Sequence, residues 1–258
     1  MILLPPADPI RFSTSWALTA KTYAAFRALI SLYILTSILT ILAWDSHNSP
    51  VEVARYWSYF TNITFISLGF YHAFAAYHSL SYWRTGTPAL ARWPGVLGKL
   101  HSLFYSTIVV FPFLVTIVFW SLLYTSLPTP FTLWSNLSEH ALNSVFALLE
   151  ITFARTEPMP WIHLAYLVVL LAMYLGVVFI TVDTEHFYVY GFLDYHRPGG
   201  RGRVAAYIFG VLLLVVVLFV VVRYLIRLRV WLTETRVGRE RRLETRESLR
   251  EETQEVKV

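Results

Sequence analysis

Long apolar runs separated by short polar ones dominate the chain. Six of them, at about 24–44, 54–80, 96–127, 137–153, 161–182 and 204–228, approach or exceed the ~20 helical residues needed to cross a hydrocarbon core about 30 Å thick. The runs differ in kind. The fifth and sixth read as walls, and 211–222 is almost pure Val and Leu. The second is interrupted by Ser58, Thr61, Asn62, Thr64, Ser67 and His72, and Thr61, Thr64 and His72 fall with Leu68 three and four apart, on one helical stripe. The fourth is short and places His140, Asn143, Ser144, Ala147 and Glu150 on one face. Polar stripes turn inward in lipid, because an ionisable group at the bilayer centre costs about 2.5–3.5 kcal/mol even on insertion scales. The second and fourth runs are therefore expected at the centre, enclosed by the others. Pro112, in the middle of the third, predicts a kink and a freed backbone carbonyl. The expectation is an all-α polytopic membrane bundle of about six transmembrane helices.

Composition sharpens this picture. Hydrophobic residues make up 56% of the 258 and charged residues 14%, against about 25% in an average soluble domain, and the mean hydropathy is +0.54. One membrane domain, 1–232, accounts for nearly everything. From Thr233 the chain turns to alternating Arg and Glu, expected to form a charged cytosolic tail over 233–258. Pro5 and Pro6 fall where a signal peptide would need its apolar centre, so the first span is expected to direct its own insertion. Arg11, Lys21, Arg84, Arg92, Lys99, Arg155, Arg223, Arg227 and Arg229 collect on one side if both termini are cytosolic, which sets the expected orientation. The formal charge of +5 thus reads as topology and attraction to membrane lipid, not as a nucleic-acid surface. Absence of cysteine excludes disulfides, thiolate metal sites and a cysteine nucleophile. The endoplasmic reticulum or the plasma membrane is the expected location. Sequons at Asn62 and Asn136 are expected to be silent, one inside a span and the other too close to the membrane.

Two residues in the central runs can do chemistry together. Counted from one side of the membrane at about 1.5 Å per residue, Thr61 lies about 10 Å down the second run and His140 about 6 Å down the fourth. By contrast His72, His78, His101 and His163 fall toward the opposite half. A hydroxyl beside an imidazole is the minimum apparatus for activating a nucleophile against an ester, and membrane lipid supplies such esters. Asn143, three residues from His140, and Asn62 are candidate oxyanion donors. Glu139, adjacent to His140, is expected to point elsewhere on the helix, and Glu150 to link buried spans. No metal or cofactor is expected, and a lipid ester is the expected partner. Threonines in membrane helices also bond back to the carbonyl four residues earlier, and buried histidines also serve as interhelical links. A transporter or structural protein with a polar inner stripe is the alternative function. A haem electron carrier is a further rival, and it needs paired histidines at one depth.

Three segments carry a resemblance: 56–65 (YWSYFTNITF), 139–150 (EHALNSVFALLE) and 187–201 (FYVYGFLDYHRPGGR). In that order they resemble the androgen-induced gene and androgen-dependent TFPI-regulating protein family. The resemblance implies a multi-span membrane fold and hydrolysis of fatty acid esters of hydroxy fatty acids by a threonine nucleophile with a histidine partner. Thr61, following Trp57 and Phe60, occupies the position of that threonine, and His140, ten residues before Glu150, that of the histidine. There are two departures. Ala141 and Leu142 follow the histidine where animal members usually carry hydroxyl residues, and Asn62 replaces the apolar residue expected after the threonine. Both bear on substrate preference.

Overall fold

A computed structural model describes residues 4–5, 7–126 and 129–236. Among them the chain is helical, with no strand and one isolated antiparallel bridge between Ser15 and Ala154. The order is α1 (Pro9–Ser13), α2 (Ala20–Asn48), α3 (Pro50–Ala54), α4 (Phe60–Thr85), α5 (Gly95–Val118), α6 (Pro130–Leu137), α7 (Asn143–Phe153), α8 (Ile162–Glu185) and α9 (Gly200–Val230). Beyond Arg236 the expected charged tail lies outside the described residues.

Local chemistry explains the boundaries. The Asp8 carboxylate caps the amides of Ile10 and Arg11 with Pro9 opening α1, and the Thr19 hydroxyl caps α2. Thr129 and Thr132 form a reciprocal capping box at the start of α6. Helix α4 stops where Gly86 adopts φ of 71°, and α9 begins after Gly199 at φ of 91°, a left-handed backbone that glycine takes without a Cβ penalty. Three helices run into wider π turns: α5 into Phe119–Leu123, α6 into Ser138–Leu142 and then α7, and α9 into Trp231–Arg236.

Four helical segments are long and apolar enough to cross a membrane: Ala20–Asn48, Gly95–Leu123, Ile162–Glu185 and Gly200–Arg236. The remaining two candidates, α4 and the α6–α7 unit, are those the sequence marks as polar. Each turns polar residues inward and keeps an apolar face exposed, with Phe70, Phe74 and Tyr77 on α4 and Val145 and Leu148 on α7, so, against expectation, neither is enclosed by the other helices. Helix α4 packs along α2, while α5 touches α4, α7, α8 and α9. The pairing of α2 with α4 is close enough that the Ser31 hydroxyl donates to the Gly69 carbonyl at 2.9 Å. A Cβ at Gly69 would stand 2.9 Å from Cγ2 of Ile34, a fully buried β-branched side chain with no room to retreat. Gly69→Val is expected to destabilise the fold by about 1–3 kcal/mol through overpacking, read as a melting temperature several degrees lower in detergent.

Both central runs begin differently from expectation. The second is broken at α3 and a 3-10 turn over Tyr56–Ser58, and the helix starts only at Phe60, after an extended Tyr59. Thr61 therefore stands in the first turn of α4. The fourth run extends back to Pro130 and passes through a π turn, so His140 does not sit on a regular α-helix. Pro112 lies inside an uninterrupted α5.

Deep in the bundle, Arg27 of α2 and Glu150 of α7 form a fully buried ion pair, made by both Nε, at 3.1 Å to Oε2, and Nη2. The Tyr23 and Tyr71 hydroxyls donate to the same carboxylate at 3.1 and 3.3 Å. The third guanidinium nitrogen, Nη1, donates to the Phe12 carbonyl and the Ser79 hydroxyl, each at 2.9 Å. Glu150 thus links α7 to α2 and α4, as expected of it. Arg27 is the partner that the apolar pattern of 24–44 passes over.

Candidate active site

Thr61 and His140 line one cavity of about 470 Å³. Its floor is the first turn of α4, and the π turn Ser138–Leu142 forms one wall. Further wall comes from the end of α2 and from Val189 and Tyr190 of the aromatic loop between α8 and α9. A second, mainly apolar cavity of about 190 Å³ lies between α5, α8 and α9. The two share Thr61, Phe119, Leu123 and Tyr190. Thr61 therefore stands at the junction of a polar chamber and an apolar one.

Position in the helix sets the state of the Thr61 hydroxyl. Thr64 and Ser67 of the same helix bond back to the carbonyls of Phe60 and Ile63 at 2.9 and 2.7 Å. Thr61 makes no such bond; its i−4 residue, Trp57, belongs to the preceding turn. Instead the Tyr190 hydroxyl lies beside its side chain and its backbone amide. Tyr190 also accepts from the Phe60 amide at 3.1 Å, an amide shared with the Tyr174 hydroxyl at 3.0 Å. Burial holds the Tyr190 hydroxyl above the ordinary tyrosine range, so it keeps its proton as a donor. The positive end of the α4 dipole and its first amides face the same point.

The imidazole is fixed from three directions. Its Nδ1 lies 3.1 Å from the Asn136 carbonyl, which only accepts, so Nδ1 carries the proton and a neutral ring keeps the lone pair on Nε2. The Phe119 ring stacks on it at 3.6 Å between centroids and 15° between planes. Its backbone carbonyl receives the Trp120 indole N–H at 3.0 Å, while the Ser144 amide, four residues on, turns to Asn143 Oδ1. The π geometry makes this possible by releasing the carbonyl from the α-helical ladder. The orienting group that sequence reasoning could not name is thus a backbone oxygen, invisible to any search for a third side chain.

The other candidates divide. Asn62 lines the polar cavity, with one amide hydrogen on the Tyr56 carbonyl at 2.9 Å and the second uncommitted. Asn143 does not line it. Its amide reaches the Pro112 carbonyl at 3.4 Å and its oxygen accepts from Thr116 at 3.0 Å, so it ties α7 to α5 and is displaced here as an oxyanion donor. Glu139, expected to point away, lines the same cavity as His140, because a π turn separates successive side chains by a smaller angle than an α-helix. His72, His78 and His101 are buried among aromatic rings, with His78 and His101 edge to face at 5.1 Å. Tyr190 is the site residue that composition did not single out. Its signal lay in the aromatic loop 187–201, readable as an interfacial or re-entrant segment.

Among the described residues, fold and cavity together define an all-helical, membrane-type bundle whose least lipophilic helices meet around a polar chamber, open at one side, with an apolar annex. The chain belongs to the FAR-17a/AIG1-like protein family, whose model matches residues 26–225 and so spans the chamber, both polar helices and the aromatic loop. No curated protein and no solved structure matches the chain.

Proposed function

We propose that the chain is an intramembrane lipid ester hydrolase with Thr61 as nucleophile and His140 as base. One observation carries the reading: a threonine hydroxyl free of helix back-bonding and a histidine of fixed tautomer line the same cavity. His140 Nε2 takes the Thr61 proton as Oγ1 attacks the ester carbonyl, such general-base help being worth about 10²–10⁴ in rate. The carbon–oxygen bond to the alcohol then breaks, and His140 returns the proton to the departing oxygen. A water molecule, deprotonated by the same ring, next cleaves the acyl-threonine to carboxylic acid and free Thr61. The two side chains are not hydrogen-bonded to each other in the resting arrangement, and catalytic contacts of this kind tighten when substrate fills the site.

Charge on the carbonyl oxygen is met by the Tyr190 hydroxyl, the second Asn62 amide hydrogen and the first amides of α4. The apolar annex takes the acyl chain. Tyr190→Phe keeps the ring and leaves the Phe60 amide bonded to Tyr174, so the fold is expected to survive. Its kcat is expected to fall about 10²–10³-fold with KM little changed, measured by steady-state ester hydrolysis.

In the membrane we read α4 and α6–α7 as the second and fourth of six spans. At about 1.5 Å per residue, the 26 residues of α4 extend about 39 Å. Arg11 pairs with Glu234, joining the first described segment to the end of the last helix, which supports an even number of crossings with both ends on one side. The stripe that would line a solute path is closed, with Glu150 in its ion pair and His72 fully buried, which favours hydrolase over transporter. The decisive comparison is turnover of long-chain fatty esters by purified wild type and Thr61→Ala. Equal rates in two folded proteins would remove Thr61 from the mechanism.

A further inference from the structure

Two arginines are buried among the described helices, and they are matched differently. Arg27 has Glu150. Arg229, 9% exposed near the end of α9, makes one guanidinium hydrogen bond, from Nη2 to the Thr156 carbonyl, and among the described residues no carboxylate stands within ion-pair distance of it. An arginine within a membrane segment is expensive and marks a functional position whose partner has to be found.

Arg229 lines a cleft of about 1070 Å³ between α7 and α9, toward the other end of the α6–α7 unit from His140. The segment leading into α2 forms its rim: Ser15 bridges to Ala154, the Arg155 amide donates to the Thr14 carbonyl at 3.1 Å, and the Trp16 indole donates to the Thr152 carbonyl at 2.6 Å. The acids at this rim are already taken. Glu234 receives Arg11 on both oxygens at 3.0 Å and Arg155 at 3.6 Å, and Glu157 receives Arg11 at 3.5 Å. Three guanidiniums thus stand against two carboxylates, and the one left over is Arg229. Its Nε and Nη1 are covered, so Arg229 reaches an occupant through its field, which low polarity strengthens, while the Arg155 side chain, 38% exposed, offers donors directly.

Beneath the charges the walls are apolar. Leu148 and Ile151 line the cleft from α7, and Leu225, Leu228 and Leu232 line it from α9 over about 10 Å of helix at about 1.5 Å per residue. A free phosphate fills neither that depth nor that volume. Basic pockets between spans on the cytosolic side recognise anionic lipid head groups, and the proposed orientation puts on that side the end of the bundle where Arg11 meets Glu234. We infer that the cleft seats an anionic phospholipid, its head group at Arg155 under the field of Arg229 and an acyl chain along the leucines. A choline head group sets a further cation beside the two arginines. The inference stands apart from the hydrolase reading, because no residue of the cleft lines the chamber or its annex.

The test uses the full chain in a nonionic detergent, with phosphatidylglycerol or phosphatidylcholine carrying brominated acyl chains, which quench nearby indoles. Trp16 on the rim is the reporter, read as the difference between wild type and Trp16→Phe. Phosphatidylglycerol is expected to reach half-quenching at a concentration at least about fivefold lower than phosphatidylcholine, and Arg155→Gln and Arg229→Gln are each expected to weaken it about fivefold, the effect of one arginine near a lipid surface. Glu234→Gln removes the acid on the cleft wall and is expected to strengthen binding, a change of sign that loss of folding does not imitate. Arg155 lies at the surface, so its variant decides alone if Arg229→Gln does not fold. Equal quenching by the two lipids in wild type, or a phosphatidylglycerol preference that Arg155→Gln leaves unchanged, overturns the site. Displacement of the lipid by inorganic phosphate at equal concentration overturns the lipid assignment.

Discussion

Thr61→Ala is expected to abolish covalent labelling by a long-chain fluorophosphonate and to lower ester turnover by at least about 10²–10⁴-fold, the range set by loss of an activated nucleophile. His140→Ala is expected to fall as far. The Asn136 carbonyl fixes the ring's proton on Nδ1, and among the residues lining the chamber no other imidazole can take the hydroxyl proton. Groups that act as one unit lose their effect once, so the double variant should be no slower than the worse single. Thr61→Ser is the informative conservative change. It keeps the hydroxyl at the head of α4 and should retain measurable labelling, whereas labelling that persists in folded Thr61→Ala would place the reactive group elsewhere. A fully additive double variant would separate the two residues and dissolve the pair.

Much of this was legible in the sequence because lipid makes hydrophobic pattern a strong signal. The polar interruptions of 54–80 and 137–153 mark the two helical units whose Thr61 and His140 line one cavity, although both units start at other residues than those from which their depths were counted. Where the pattern fell short, backbone geometry was the cause. Periodicity assumes 3.6 residues per turn, so it cannot foresee a π turn at Ser138–Leu142, which swings Glu139 toward the chamber and leaves Asn143 bonded to α5. Nor does it see that α4 begins at Phe60, which places Thr61 in the first helical turn, whose first amide turns to the tyrosine hydroxyls of the aromatic loop and α8. Tyr190 reaches the chamber from a connection some 130 residues away along the chain, a distance no local pattern bridges. Arg27 was readable in principle. An arginine inside an apolar run demands a buried partner, and Glu150 on an inward face is the natural one.

That pair sets the second large effect expected, on stability. Removing one member of a buried ion pair leaves the other uncompensated and costs about 3–5 kcal/mol, more than most core substitutions. Glu150→Leu strips the acceptor from two guanidinium contacts and two tyrosine hydroxyls at once, and Arg27→Met leaves a carboxylate facing Tyr23 and Tyr71 alone. Each single variant should lower the melting temperature in detergent by on the order of 10 °C. The double variant should recover much of that loss, since replacing both charges by apolar groups removes the desolvation cost along with the attraction. Singles as stable as wild type would mean that the pair contributes nothing to the fold. Neither residue lines the chamber, so whatever fraction of each variant folds should keep Thr61-dependent turnover per molecule. Loss of that turnover in a fully folded double variant would instead show that the ion pair positions the first turn of α4, through the contact of α2 with α4, and not merely that it holds the bundle closed.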